Sequence, residues 1–551
     1  MLSFNGEIYN FRELSSELRK AGIHCGGESD TEVLFKCLTH WGIDRTLAAL
    51  DGMFAFVYFN TKDRSLYIAR DPLGEKPLYW AHGRNRLWVS SEIKVILATG
   101  EVSSAPNLKR IDDYFYTGKI NGSETSFDKV FEVEPGTYLH LTHGQGDPIT
   151  QRYWHLEDFS QDSAGSWGQD LIGQFEFKLQ ESIASRRISD VPIGLLLSGG
   201  IDSNSILEMS LSKSPEDSIS LFFADNKYKE VTERSDVDLF VESMAKRYPG
   251  AHLPLYSKQM SFESYMQALN KLTWFYDEPV QFPITPQFVE LNRLAYSKGI
   301  KVLLSGEGAD EILYGYDRFV RTSRILANGG DRRSKIENAY YGGGIHNVDV
   351  VKELTNEVAD GVASSAPWRW LEENVDKWDF DIMQMIFSQK YRLQTLLQRQ
   401  DRSGMSESVE VRVPFLAPQF VKWCNTLPMT ARFDSVTGET KRILREVMKN
   451  RLPKRILEKK KQGSTSDVQV WLKSKEMEIL CRELVDDKNG FCQTYLNGKC
   501  VSKIIDSHFT STRSFDSLVW MMLSIELWHR TFHGGVKMPQ PESGLNYSHG
   551  M

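Results

Sequence analysis

The sequence predicts a multidomain chain in which an α+β region precedes an α/β region built on a parallel sheet. Three observations point there. The chain has 551 residues, too many for one ordinary hydrophobic core, so two or three domains are expected. Strand-like runs in residues 1–155 are joined by short turns, whereas beyond residue 170 apolar strands alternate with amphipathic helices. That alternation is the signature of a parallel sheet, with ligand at the carboxyl ends of its strands.

The elements follow in order. Residues 2–4 begin a strand, and residues 11–21 carry helical spacing through Phe11, Leu14 and Leu18. Residues 31–41 repeat it through Leu34 and Leu38. Residues 54–59 and 65–69 are rich in aromatic and β-branched side chains and flank a hairpin turn at 60–64. Short strands are expected at 78–80, 87–89 and 137–141, and a polar, glycine-bearing linker at 142–150 and 160–168. An amphipathic helix then spans 171–187 (Ile172, Phe175, Leu179, Ile183). Strands at 193–197, 218–223 and 300–304 are separated by helical stretches, and residues 381–528 read as largely helical.

Composition narrows the function. Net charge is −7 with acids and bases interspersed, so a nucleic-acid partner is disfavoured. No apolar run reaches membrane-spanning length and no signal pattern opens the chain, which points to a soluble, cytoplasmic protein without a membrane partner. The six cysteines form no C-x-x-C pair or regular framework, as in a reduced compartment.

The sharpest motif is Ser198-Gly199-Gly200-Ile201-Asp202-Ser203, directly after the apolar run 193–197. A strand that ends in small residues and opens a helix leaves backbone N–H groups free to cradle phosphate. The loop lacks the lysine of a Walker A site, and Asp202 would repel bare phosphate, so a bridging Mg²⁺ is implied. A second loop, Ser305-Gly306-Glu307-Gly308-Ala309-Asp310-Glu311, follows the strand at 300–304. Its carboxylates need cations or donors nearby. Asp310 could share the metal with Asp202, and Glu307 could act as a base or hold an amine.

With these loops in view, the chain resembles glutamine-dependent asparagine synthetases. The resemblance runs in family order through Asn5-Gly-Glu-Ile-Tyr-Asn10, Ser29-Asp-Thr-Glu32, Asp51-Gly-Met-Phe-Ala-Phe56 and Ala69-Arg-Asp-Pro-Leu-Gly74. It continues through Ser189-Asp-Val-Pro-Ile193, both loops, Glu410-Val-Arg-Val-Pro-Phe-Leu416 and Lys461-Gln-Gly463. It implies a partial αββα glutaminase domain of the N-terminal-nucleophile type over 1–155, and an adenine-nucleotide α-hydrolase-like synthetase domain over 170–540 with a helical C-terminal part. The implied reaction adenylates the aspartate side chain with ATP and Mg²⁺, and ammonia then releases asparagine, AMP and pyrophosphate. By the same resemblance Ser198, Gly199, Gly200, Asp202 and Ser203 bind phosphates. Leu196, Leu221, Ser305 and Gly306 meet the adenosine, Asp202 and Asp310 hold metal, and Lys441 and Glu307 are catalytic. Asn5 and Gly6 resemble oxyanion donors of the glutaminase, and Glu7 and Asp30 resemble residues that hold glutamine. Small-molecule substrates (aspartate, glutamine or ammonia, ATP) and a homodimer are expected.

The chain departs from the family at its start. The family nucleophile is an N-terminal cysteine, whereas this sequence begins Met-Leu-Ser-Phe. Cys25 and Cys37 lie on or beside expected helices and are poor substitutes. The expectation is that the sequence lacks its true beginning, a shortened ammonia-only enzyme being the other account. Near the acyl pocket, Val280-Gln-Phe-Pro-Ile284 replaces commonly polar residues, and Ser464 a usual phenylalanine. A tailoring amide or lactam ligase acting on another acid, and a non-catalytic regulatory homologue, are therefore the alternatives.

Overall fold

The computed structural model describes residues 1–533 apart from 28, 143–145, 158–166, 227–232, 328, 342–347, 357–360, 460–466 and 511–514. The N-terminal half holds β1 (Leu2–Ile8), β2 (Gly52–Asn60), β3 (Ser65–Arg70), β4 (Tyr79–His82), β5 (Leu87–Ser90), β6 (Phe131–Glu132), β7 (Thr137–Leu141) and β8 (Ile149–Arg152). One antiparallel sheet runs β1-β2-β3-β7-β8 and a smaller one β5-β4-β6. Strand side chains alternate between faces, and β2 shows what that does. Phe54, Phe56 and Tyr58 pack on Leu14, Leu18, Leu34 and Leu38 of the helices Phe11–Lys20 and Asp30–Trp41. Ala55 and Val57, pointing the other way, meet Leu78 and Trp80 of the smaller sheet's side. Helix, sheet and sheet thus form successive layers.

The C-terminal half is organised by five parallel strands: β9 (Ile193–Leu196), β10 (Ser220–Asp225), β11 (Leu255–Gln259), β12 (Val302–Leu304) and β13 (Glu410–Arg412). Their order is β11-β10-β9-β12-β13. The central strands β9, β10 and β12 are buried on both faces, which is why they read as apolar runs. Leu195, Leu221 and Leu304 join the large core on one face. Leu196, Phe222 and Leu303 pack on Leu291 and Ala295 of helix Thr285–Ser297 on the other.

Three expectations need correction. Residues 149 and 150 belong to strand β8, not to the linker; its four residues are all exposed, so no face left an apolar pattern. The rest of the expected linker falls partly outside the described residues. β13 interrupts the helical region after residue 381, and β11 had not been anticipated. Only Val411 of β13 is apolar and buried, and β11 is a mixed polar edge strand.

Named contacts lock the halves together. Arg186 donates to both oxygens of Asp51 at 2.7 and 2.9 Å, and Lys76 pairs with Asp401 at 3.1 Å. Asp277 accepts from the Ile93 N–H at 2.9 Å and from Lys94 Nζ at 3.0 Å. Trp520 and Trp528 of the C-terminal helix Asp516–His533 donate to the Val280 and Asp277 carbonyls, both at 2.9 Å. The segment that leads into the cavity wall is thereby fixed. Among the described residues no helix is long and apolar enough to cross a membrane.

Candidate active site

The chain adds β10 and β11 on one side of β9, then β12 and β13 on the other. The order reverses between β9 and β12, and a crevice outside the carboxyl ends of strands opens at such a point. Both glycine-bearing loops lie there. After β9 the chain turns through residues 198–200 into helix Ile201–Lys213, whose first N–H groups are left for a ligand. The Ser203 hydroxyl accepts from the Ser198 N–H at 3.1 Å, and the Ser198 hydroxyl accepts from the Gly200 N–H at 3.3 Å, which fixes the turn. After β12 the second loop presses on the first. A Cβ built at Gly306 would lie 2.9 Å from Asp202 Cβ and 3.0 Å from the Ser203 nitrogen.

Lys441 joins the loops. Its Nζ lies 2.7 Å from both carboxylate oxygens of Asp202 and 2.7 Å from Asp310 Oδ1. Lys441 is 2 % exposed and adopts left-handed backbone (φ 54°) as the N-cap of helix Arg442–Met448. For a lysine that conformation is costly, and it is kept where surrounding contacts hold it. Gly315 makes room: a Cβ there would sit 2.0 Å from Asp310 Oδ1 and 2.2 Å from Lys441 Cε. Two carboxylates that converge on one cation can also accept Mg²⁺. Among the described residues no three His, Cys, Asp or Glu side chains form a metal site unaided, so phosphate and water would complete its shell.

Around the loops opens a cavity of about 680 Å³, lined by Leu196, Ser198, Asp202, Ser203, Ser305, Gly306, Glu307 and Asp310 among others. Glu307 Oε1 accepts from Arg399 at 2.5 Å and from Gln400 at 3.2 Å, and Arg399 stacks on Phe288 at 4.6 Å. Burial, with Asp310 adding to it, pushes the Glu311 carboxyl up to about 7, and the Tyr316 hydroxyl donates to it at 2.5 Å. Leu221 does not line the cavity. It is fully buried, and its N–H is spent on the Pro254 carbonyl at 2.9 Å. Phe223 and Ala224, further along β10, form the wall instead.

Sequence reasoning missed Gly315, Arg399, Gln400 and Lys459. A Cβ at Gly199 would lie 2.7 Å from Lys459 Nζ, which also donates to Asp236 at 2.8 Å. Lys459 thus stands over the first loop. The motif at 461–463 and Ser464 lie outside the described residues.

The second cluster lies on β1. Asn5, Gly6 and Glu7 sit inside this strand rather than in a turn. Gly6 has φ 144°, and a Cβ there would fall 2.0 Å from the Met53 carbonyl oxygen, so only glycine fits. Asp30 accepts from the Ile8 N–H at 3.1 Å, which ties it to the strand's end. Asn5 donates to the Ser91 hydroxyl at 3.1 Å. Burial, then Glu410, raises the Glu7 carboxyl to about 7 against the opposing pull of Arg412. Cys37 is buried and its thiol is pushed up to about 12 by burial, the opposite of an activated nucleophile.

The family model for asparagine synthase matches residues 174–530, and the glutamine amidotransferase domain model matches residues 1–154. The chain belongs to the asparagine synthase family. This is a family of ATP-using ligases, and here an amidotransferase domain precedes the synthase region. A putative glutamine-hydrolysing asparagine synthetase of Mycobacterium tuberculosis is 28% identical over 582 residues, which span 98% of this chain and 86% of that one. The glutamine-hydrolysing asparagine synthetase 1 of Bacillus subtilis is 27% identical over 557 residues, covering 96% and 84%. "Amidase chry2" of Gibberella zeae is 30% identical over 335 residues, covering 57% and 47%.

Proposed function

We propose that this asparagine synthase family member makes asparagine from aspartate through a β-aspartyl-AMP. ATP lies with its phosphates along residues 198–203, held by the helix N-terminus and the two serine hydroxyls. Its base lies between Leu196 and the end of β10. Asp202 and Asp310 would hold Mg²⁺, which when bound neutralises the pyrophosphate that leaves. Lys441 places its ammonium where negative charge grows as the aspartate carboxylate oxygen bonds to the α-phosphorus and the bond to the β-phosphate bridge breaks. Ammonia then attacks the activated carbonyl, a proton passes towards Glu307, and AMP departs. The Arg399 and Gln400 bonds hold Glu307 in place for this step.

In the N-terminal half, Asn5 and Gly6 are proposed to lie beside the side-chain amide of a bound glutamine, and Glu7 and Asp30 to bind its amino-acid end. Free, mostly buried cysteines suit a cytoplasmic setting.

What carries the reading is the meeting of Asp202, Asp310 and Lys441 where two glycine loops touch. The test is pyrophosphate release from ATP with aspartate and ammonium, lost in Asp202→Ala without loss of fold. The apolar wall at Phe282, Pro283 and Ile284 favours a second reading, a ligase of another carboxylic acid. Turnover with other acids but not aspartate would select it. No turnover with any acid would refute both.

A further inference from the structure

We propose that helix Leu393–Met405 couples the site on β1 to the site at the two glycine loops, with Arg402 as the positioning residue between them. Glutamine at the first site then tightens binding at the second, and the reverse. The inference rests on the glutamine and adenylation readings above and adds what connects them. One helix touches both sites. At one end Arg399 and Gln400 hold Glu307, and Gln400 also donates to the Ser305 hydroxyl at 3.4 Å. At the other, Arg402 Nη2 donates to the Ser91 carbonyl at 2.9 Å, while the Ser91 hydroxyl accepts from Asn5 at 3.1 Å. Arg399 and Arg402 are three residues apart and share a helix face. Only Ser91, Arg402 and a single helical turn therefore separate Asn5 from the side chains that hold Glu307.

The joint is built into the protein. Arg402 is buried and lies 3.4 Å from Asp277, which also accepts from the Ile93 N–H, two residues after Ser91. Gln394 donates to the Leu73 carbonyl at 2.8 Å and Asp401 takes Lys76 at 3.1 Å, so the same helix is fastened to the N-terminal half along its length. Arg399 Nε and Gln400 Oε1 are buried with no hydrogen-bond partner among the described residues. Such groups store strain, and a small shift of the helix can pair them. Asn5 supplies the other half of the switch. Its N–H is engaged by Ser91, so the side-chain amide of a glutamine must displace Ser91 to reach it. Nucleotide and acid draw residues 305–307 against Arg399 and Gln400, which moves the Ser91 carbonyl that Arg402 holds and releases Asn5. Each ligand favours the arrangement that the other needs.

Coupling is measured without turnover, on the full chain, by calorimetry. L-Glutamine is titrated alone and then with aspartate and a non-hydrolysable ATP analogue present. Glutamine is expected to bind roughly 5-fold more tightly in the second titration, the worth of one displaced hydrogen bond. By linkage, saturating glutamine should tighten the ATP analogue by the same factor. Ser91→Ala removes the competing acceptor, so glutamine alone should bind as tightly as it does to the loaded wild type, and the factor should fall to one. A merely structural role would weaken glutamine instead. Arg402→Met should also bring the factor to one, with ammonium-driven pyrophosphate release kept within about twofold. Arg402→Lys, which keeps the charge without the fork, should retain part of the factor and serves if the methionine variant does not fold. A wild-type factor of one, or an unchanged factor in Ser91→Ala, would overturn the coupling and leave the glutamine reading standing. No glutamine binding under either condition, or binding that survives Asp30→Ala, would overturn both.

Discussion

Replacing Gly315 by alanine adds one methyl group where the structure has no room. The new Cβ would lie 2.2 Å from Lys441 Cε and 2.0 Å from Asp310 Oδ1. Lys441 is buried and holds both aspartates, so neither side chain can yield without moving the other. Restoring ordinary contact requires a shift of about 1 Å or more, and a misplacement of that size costs on the order of 100-fold in rate. Overpacking adds about 1–3 kcal/mol of lost stability. The assay is acid-dependent pyrophosphate release at saturating ATP, with thermal unfolding to show that the variant folds. Gly173→Ala is the matched control: this glycine lies in the exposed part of helix Gln169–Arg186 with nothing within 4 Å of a new Cβ. There alanine should raise stability by roughly 0.5–1 kcal/mol and leave the rate unchanged. A Gly315→Ala enzyme that turns over at the wild-type rate would refute the claim that this triad is held tightly for catalysis.

Further outcomes follow from the same geometry. Lys441→Met should cut turnover by about 10²–10³-fold, read as pyrophosphate release in a variant that still binds ATP. Glu311 has a folded pKa of about 7, raised from 4.5, so the native state holds an extra proton between those values. Its contribution to stability therefore falls as pH rises from 4.5 to 7, by on the order of 3 kcal/mol. Glu311→Gln should flatten that decline in urea unfolding compared at pH 5 and pH 8. Asp51→Ala leaves buried Arg186 without its carboxylate and should destabilise the chain by about 3 kcal/mol, also read by urea unfolding.

Much of this arrangement is legible in the amino-acid order because the physics is local. An apolar run buried on both faces, followed by small residues, announces both the strand and the loop at its tip, as at 193–203 and 300–311. β2 announces its two faces in the same way, since Phe54, Phe56 and Tyr58 alternate with smaller residues. What stays hidden is non-local. Lys441 reaches Asp202 across 239 positions, and nothing in Glu439-Thr-Lys-Arg442 names its partners without a family resemblance. Gly315 looks like any glycine between tyrosines until the side chains it admits are in place. Arg399 sits on a helix and meets Glu307 only because helix Leu393–Met405 packs beside the sheet. β8, β11 and β13 escaped because two are polar edge strands and the third has three residues, too few for a period to show.

The account stands most directly on where the carboxylate oxygen goes. If the acid substrate is labelled with ¹⁸O in its reacting carboxylate and turned over with ATP and ammonium, one labelled oxygen should emerge in AMP, with pyrophosphate unlabelled. Label found in inorganic phosphate, with ADP as the nucleotide product, would show that the two loops deliver the γ-phosphate rather than the α-phosphate, and the proposed adenylating site would be wrong.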